Sequence, residues 1–115
     1  MDRVETARAA LDGVVRRVAE YLGGGRDRGV ETLVIADAEH DRFGLFRCGW
    51  RAGTGDRVST TVFLARIKGG KVWIEEDNTD LTLADELVRA GVPKGDIVLA
   101  FQPPELRHLT EFAVA

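Results

Sequence analysis

Along residues 3–22, apolar side chains return every three or four positions. Val4, Ala7, Leu11, Val14, Val15, Val18 and Leu22 make one stripe, while Arg8, Asp12, Arg16 and Glu20 fall on another face. That period predicts an amphipathic helix. The segment GGGRDRG at 23–29 ends it and supplies a loop. Glycine-rich loops that cradle phosphate follow a strand and open a helix. This one follows a helix and precedes a strand, so a phosphate site is not expected there.

Beyond the loop the period shortens. ETLVIADA at 31–38 reads as a strand, EHD at 39–41 as a turn, and RFGLFRCGW at 42–50 as the returning strand. RAGTGD at 51–56 is a loop, and RVSTTVFLARI at 57–67 is a long β-branched strand. KGGK at 68–71 is a hairpin signal, because paired glycines accept the positive φ of a type I′ turn. KVWIE at 71–75 is the fourth strand. Short connections favour an antiparallel meander. TVFLARI carries apolar residues on both faces, which suggests burial on both sides.

TLADELVRAGVP at 82–93 is the second helix. Thr82 is placed to cap it, with Asp85 as the reciprocal capping-box acid. Gly91 ends it, Val92 packs back, and Pro93 blocks continuation. DIVLAF at 96–101 is a short strand, and residues 102–115 form an irregular tail with an apolar end. The expected fold is α+β, in the order α-β-β-β-β-α-β, with an antiparallel meander sheet and the helices packed on one face. Residues 1–115 read as a single domain.

Composition narrows the function classes. The chain has 44% apolar and 30% charged residues and a net charge of −3, an ordinary globular balance. A strong non-specific duplex binder normally shows a basic excess, which is missing here. No apolar run approaches the span of a bilayer, and MDRVETARAALDGVV lacks a signal-peptide core, so a cytoplasmic location without membrane contact is expected. Cys48 is the sole cysteine and reads as a buried, unreactive thiol.

The chemistry to be weighed lies in GGKVWIEEDNTD at 69–80, where Glu75, Glu76, Asp77 and Asp80 cluster. A nuclease centre would gather such acids and a lysine, for instance Glu75, Asp77 and Lys71, around a metal. The structural alternative is that acids at a strand end and ahead of a helix guard the sheet edge and meet the helix dipole. His40 and His108, the two histidines, lie in a turn and in the tail, away from the acids. Ser59, inside a strand, lacks a nucleophile turn. No catalytic residue, metal site or cofactor is therefore assigned. Arg47, Arg51, Arg57 and Arg66 in the meander could make a local basic strip for DNA.

GW at 49–50, GGKVWI at 69–74, ELVRAGVPKGDIVLAFQPPELR at 86–107 and TEFAVA at 110–115 resemble the XisI family, controlling factors for excision of the fdxN element. The likeness spans most of the chain and is sharpest in the GVPK-x-DIVLAF block and the final FAVA. Gln102 stands where many members of the family carry histidine, which argues against an imidazole site there. The resemblance implies a small α+β accessory factor acting with a companion, XisH, of nuclease-like character. From it we expect a XisH-like partner, indirect contact with DNA, and no enzymatic activity. Direct DNA binding and antitoxin-like inhibition of the partner nuclease are the rival expectations. Candidate partner-binding residues are Trp50, Trp73, Glu75, Glu76 and Arg107. A free sheet face or edge also makes a homodimer an expectation.

Overall fold

The computed structural model describes residues 2–23 and 28–115. The loop expected at 23–29 falls largely on residues 24–27, outside the described residues. Helix α1 runs Arg3–Leu22. Asp2 caps it, accepting the Glu5 N–H at 2.8 Å. Strands β1 (Val30–Asp37), β2 (Arg42–Trp50), β3 (Arg57–Lys68) and β4 (Lys71–Asp77) follow. Helix α2 (Leu83–Arg89) leads through a 3₁₀ turn to β5 (Ile97–Leu99), and a second 3₁₀ turn covers Pro104–Leu109.

The sheet order is β1-β2-β3-β4-β5. The first four strands form the expected antiparallel meander. At the β3–β4 hairpin, Gly69 (φ 59°) and Gly70 (φ 78°) take the positive φ anticipated for the paired glycines. The fifth strand joins β4 in parallel, Val72 opposite Ile97 and Ile74 opposite Leu99. Helix α2 makes the crossover that a parallel pair requires. The result is an α+β fold with a mostly antiparallel mixed sheet.

One face of the sheet is the core. Ala7, Leu11, Val14, Val15 and Val18 of α1 press on Phe43, Leu45, Phe63, Ala65, Val72 and Ile74. Leu83, Ala84 and Leu87 of α2 and Val92 close the same layer. Each fully buried large side chain here contributes about 1.5–3 kcal/mol over exposure. Arg8, off the apolar stripe of α1, grips Asp41 in the β1–β2 turn, Nε to Oδ1 at 2.6 Å and Nη2 to Oδ2 at 3.1 Å. This contact raises the Arg8 pKa above its ordinary value, chiefly through the hydrogen bond to Asp41.

Two irregularities redirect side chains. Between β2 and β3 the register shifts after Leu45–Phe63, so that Phe46 faces Thr61 and Val62 is the extra residue. Val62 and Phe63 are both buried, while Leu64 is exposed. The two-sided apolar pattern of TVFLARI thus reflects a bulge, and among the described residues the sheet is covered on one side only. A second shift makes Glu75 the extra residue of β4.

Helix α2 corrects an expectation. Thr82 has φ 50° and its side chain makes no capping bond. Asp77 caps in its place, accepting the Leu83 N–H on Oδ2 at 2.8 Å and both the N–H and hydroxyl of Thr79 on Oδ1. The C-terminal signals act as expected. Gly91 has φ 104°, the Gly91 N–H reaches Val88 O, and the Val92 N–H reaches Leu87 O at 3.0 Å.

Candidate partner-binding face

Pairing assigns the side chains of the uncovered face. Leu33 stands opposite Phe46, Ile35 opposite Gly44, and Gly44 opposite Leu64. The Phe46 ring lies against Gly44, where an added Cβ would sit 2.7 Å from Cε2. Leu33, Ile35 and Leu64 are 43%, 48% and 36% exposed. Together with Phe46 they make a contiguous apolar centre. Arg42 opposite Arg66 and Glu76 opposite Leu64 lie on its rim. Arg66 Nε holds Glu75 Oε2 at 2.9 Å.

All five residues picked out from the sequence belong to this side of the sheet. Trp50 lies at one end, 61% exposed, with the Arg57 guanidinium 5.3 Å above its ring. Trp73 lies at the other end. It is half-buried, donates its indole N–H to Lys68 O at 3.1 Å, and is flanked by Lys68 Nζ at 4.7 Å and Arg107 at 5.5 Å. Such cation–ring contacts hold an aromatic plane in place. Glu75 is paired with Arg66, and Glu76 Oε2 accepts from the Asn78 amide at 3.3 Å.

Arg107 has an internal role that the sequence did not signal. It is buried, and its guanidinium donates to the carbonyls of Gln102 (3.1 Å), Ala100 (3.2 Å) and Val114 (3.4 Å). It clips the tail beside β5, where Ala113 bridges Val98 and its N–H reaches Ile97 O at 2.8 Å. Arg107 therefore shapes the rim by holding Trp73 and the tail.

Cys48 also departs from expectation. It is half-buried on the open face, with Arg57 Nη2 3.1 Å from Sγ. The four meander arginines do not form one strip. Arg47 lines a cavity of about 420 Å³ on the helix side, with Val18, Tyr21, Thr60, Thr61 and Asp80 among its neighbours. Arg57 and Arg66 lie on the opposite side, one over Trp50 and the other bound to Glu75. The cavity was not foreseen, because it depends on the β3 bulge meeting the end of α1.

The acid cluster is dispersed among structural partners: Glu75 to Arg66, Glu76 to Asn78, and Asp77 to the start of α2. Among the described residues, no three His, Cys, Asp or Glu side chains gather in a metal-holding group. Nor is any described helix long and apolar enough to cross a membrane.

A comparison with curated proteins returned no match. Among solved structures, the fdxN element excision controlling factor XisI from Anabaena variabilis ATCC 29413 is 33% identical, with a TM-score of 0.83. The aligned region covers 99% of this chain and 100% of that one. A XisI-like protein from the same organism is 32% identical, with a TM-score of 0.84 and the same coverage. The profile of the family described as XisI protein matches residues 1–114. Alike in sequence and backbone over almost its full length, the chain belongs to the XisI family.

Proposed function

We propose that this chain is a non-enzymatic accessory factor in the control of DNA-element excision. It acts by docking a XisH-like protein on the open face of its sheet, and it reaches DNA only through that partner. The carrying observation is the face itself: Leu33, Ile35 and Leu64 exposed beside Phe46, in a chain whose solved relative is named an excision controlling factor. A contiguous apolar surface with a charged rim is the kind of surface a protein partner covers. Rim charges of both signs orient the encounter. Trp50 offers a large, exposed anchor of the type that dominates binding energy.

A docking role rather than bond-breaking is supported by the employment of Glu75 and Asp77 in an ion pair and a helix cap. Indirect contact with DNA is supported by the separation of Arg47 from Arg57 and Arg66 on opposite sides of the sheet. Self-association into a homodimer, in the cytoplasm, belongs to the same reading, since among the described residues the sheet leaves an edge as well as a face open.

Co-expression with a XisH-like protein tests the proposal. The two chains co-purify at moderate salt, and the chain alone gives no gel shift even at low salt. Failure to co-purify contradicts docking. A gel shift that weakens steeply with salt would establish direct DNA binding instead.

A further inference from the structure

We infer that the outer edge of β1 pairs antiparallel with β1 of a second copy, about a two-fold axis through Leu33, fusing the two sheets into one. The inference rests on the homodimer reading and names the surface and register that form it.

Strand β1 ends the sheet, and among the described residues no segment hydrogen-bonds to its outer side. The opposite edge is short and is bridged by Ala113. Natural sheets protect a bare edge with charged side chains, lysine above all, or with proline, a bulge or brevity, and the charges of β1, Glu31 and Asp37, leave its apolar middle Leu33–Val34–Ile35 unguarded. Strand β1, VETLVIAD, has eight residues, neither proline nor lysine, and an unbroken register with β2. Its middle residues Leu33, Val34 and Ile35 are 43%, 40% and 48% exposed. An edge of this composition is a template for another strand.

The backbone decides which groups are available. The Trp50 N–H donates to Gly29 O at 2.9 Å. Antiparallel alternation then turns the main-chain groups of Glu31, Leu33, Ile35 and Asp37 toward β2. Those of Val30, Thr32, Val34 and Ala36 point outward. A two-fold axis normal to the sheet keeps every side chain on its own face, so only residues of like parity meet.

Two such registers pair most of the strand. With the axis at Leu33, Val30 meets Ala36 and Thr32 meets Val34, so every outward-pointing residue finds an outward-pointing partner. On the open face Leu33 meets Leu33, and Glu31 meets Ile35. With the axis at Val34, Glu31 faces Asp37 twice, and Val30 has no strand residue opposite. Like charges directly opposed destabilise a pair. Hydrogen bonding and charge therefore select the axis at Leu33. Because Phe46 neighbours Leu33 on β2, the two apolar centres become continuous across the axis, with the helices all on the other side.

Disulfide trapping in a Cys48→Ser background tests the register. At the axis, a non-hydrogen-bonded pair has Cα atoms about 4.5 Å apart, within disulfide range. Leu33→Cys therefore cross-links two copies under mild oxidation. Val34→Cys lies out of register, beyond roughly 7 Å from its symmetry mate, and does not cross-link. Light scattering gives the unmodified chain twice its 12.6 kDa mass. Thr32→Pro removes an outward N–H, leaves the β1–β2 ladder intact, and weakens dimerisation at least about tenfold with an unchanged circular dichroism spectrum. If Thr32→Pro does not fold, the cysteine variants decide alone. A monomer at every concentration overturns both the dimer and this interface. A dimer with no Leu33→Cys cross-link overturns the interface and leaves the dimer standing. Cross-linking at Val34→Cys in preference to Leu33→Cys overturns the register.

Discussion

Asp77 accepts hydrogen bonds from the Leu83 N–H and from Thr79, whereas Thr82 contributes no capping bond. Asp77→Ala should therefore cost about 1–2 kcal/mol in urea unfolding, the range of a lost cap. Thr82→Ala should be close to neutral, although a capping-box reading of the sequence would rank the two the other way. Arg107→Ala should cost about 2–3 kcal/mol, because its charge-assisted bonds to three carbonyls are lost together. Arg107→Lys should not restore stability, since a single ammonium cannot span those acceptors. Limited proteolysis should then open the tail in both variants. Neither role was legible beforehand. Asp77 reaches its target across a turn, and Arg107 is recognisable only once the tail lies beside β5. The side chains at Trp50 and Trp73 were legible as candidates, because an aromatic in a half-buried strand needs either a core or a partner.

At the level of elements, periodicity was enough to place α1, the four meander strands and α2. The GVP ending of α2 translated directly into the Gly91 and Val92 hydrogen bonds. Direction and bulges were hidden. The apolar run at 96–101 reads as a short strand, of which Ile97–Leu99 forms one, but it does not say that the strand runs parallel to β4. An extra residue such as Val62 shifts the alternation by one, and from sequence that looks like a strand buried on both faces. The β1–β2 turn carries a pH prediction. The Asp37 carboxyl lies below the ordinary carboxylate range, first because the His40 N–H donates to it at 3.0 Å and then through the His40 side chain. A depressed folded pKa favours folding while the group is ionised. That contribution is complete above the unfolded Asp value near pH 4 and fades as pH falls through the lower folded value. The midpoint temperature of the unmodified chain should therefore fall relative to Asp37→Asn as pH drops below about 4. The difference should be slight, because the carboxylate is solvent-exposed and screened. No divergence between the two curves in that window would contradict this role for Asp37.

At the scale of the whole molecule, the asymmetry of the sheet organises everything else. Helices α1 and α2 cover one side, and the other presents an apolar centre between Trp50 and Trp73. The sequence placed both tryptophans, Glu75 and Glu76 in view, yet not their common side, because that depends on registers shifted by bulges. The central claim is that this face receives a protein partner. Titration calorimetry with a XisH-like protein, comparing the unmodified chain with Leu64→Glu, tests it most directly. Leu64 is exposed, so the charge leaves the core intact, as circular dichroism should verify. A charge at the centre of a buried contact costs at least about 2 kcal/mol, which raises Kd roughly thirtyfold. Saturable binding by the unmodified chain, weakened by about that factor in Leu64→Glu, is the predicted result. Equal affinity in the two chains would contradict the account.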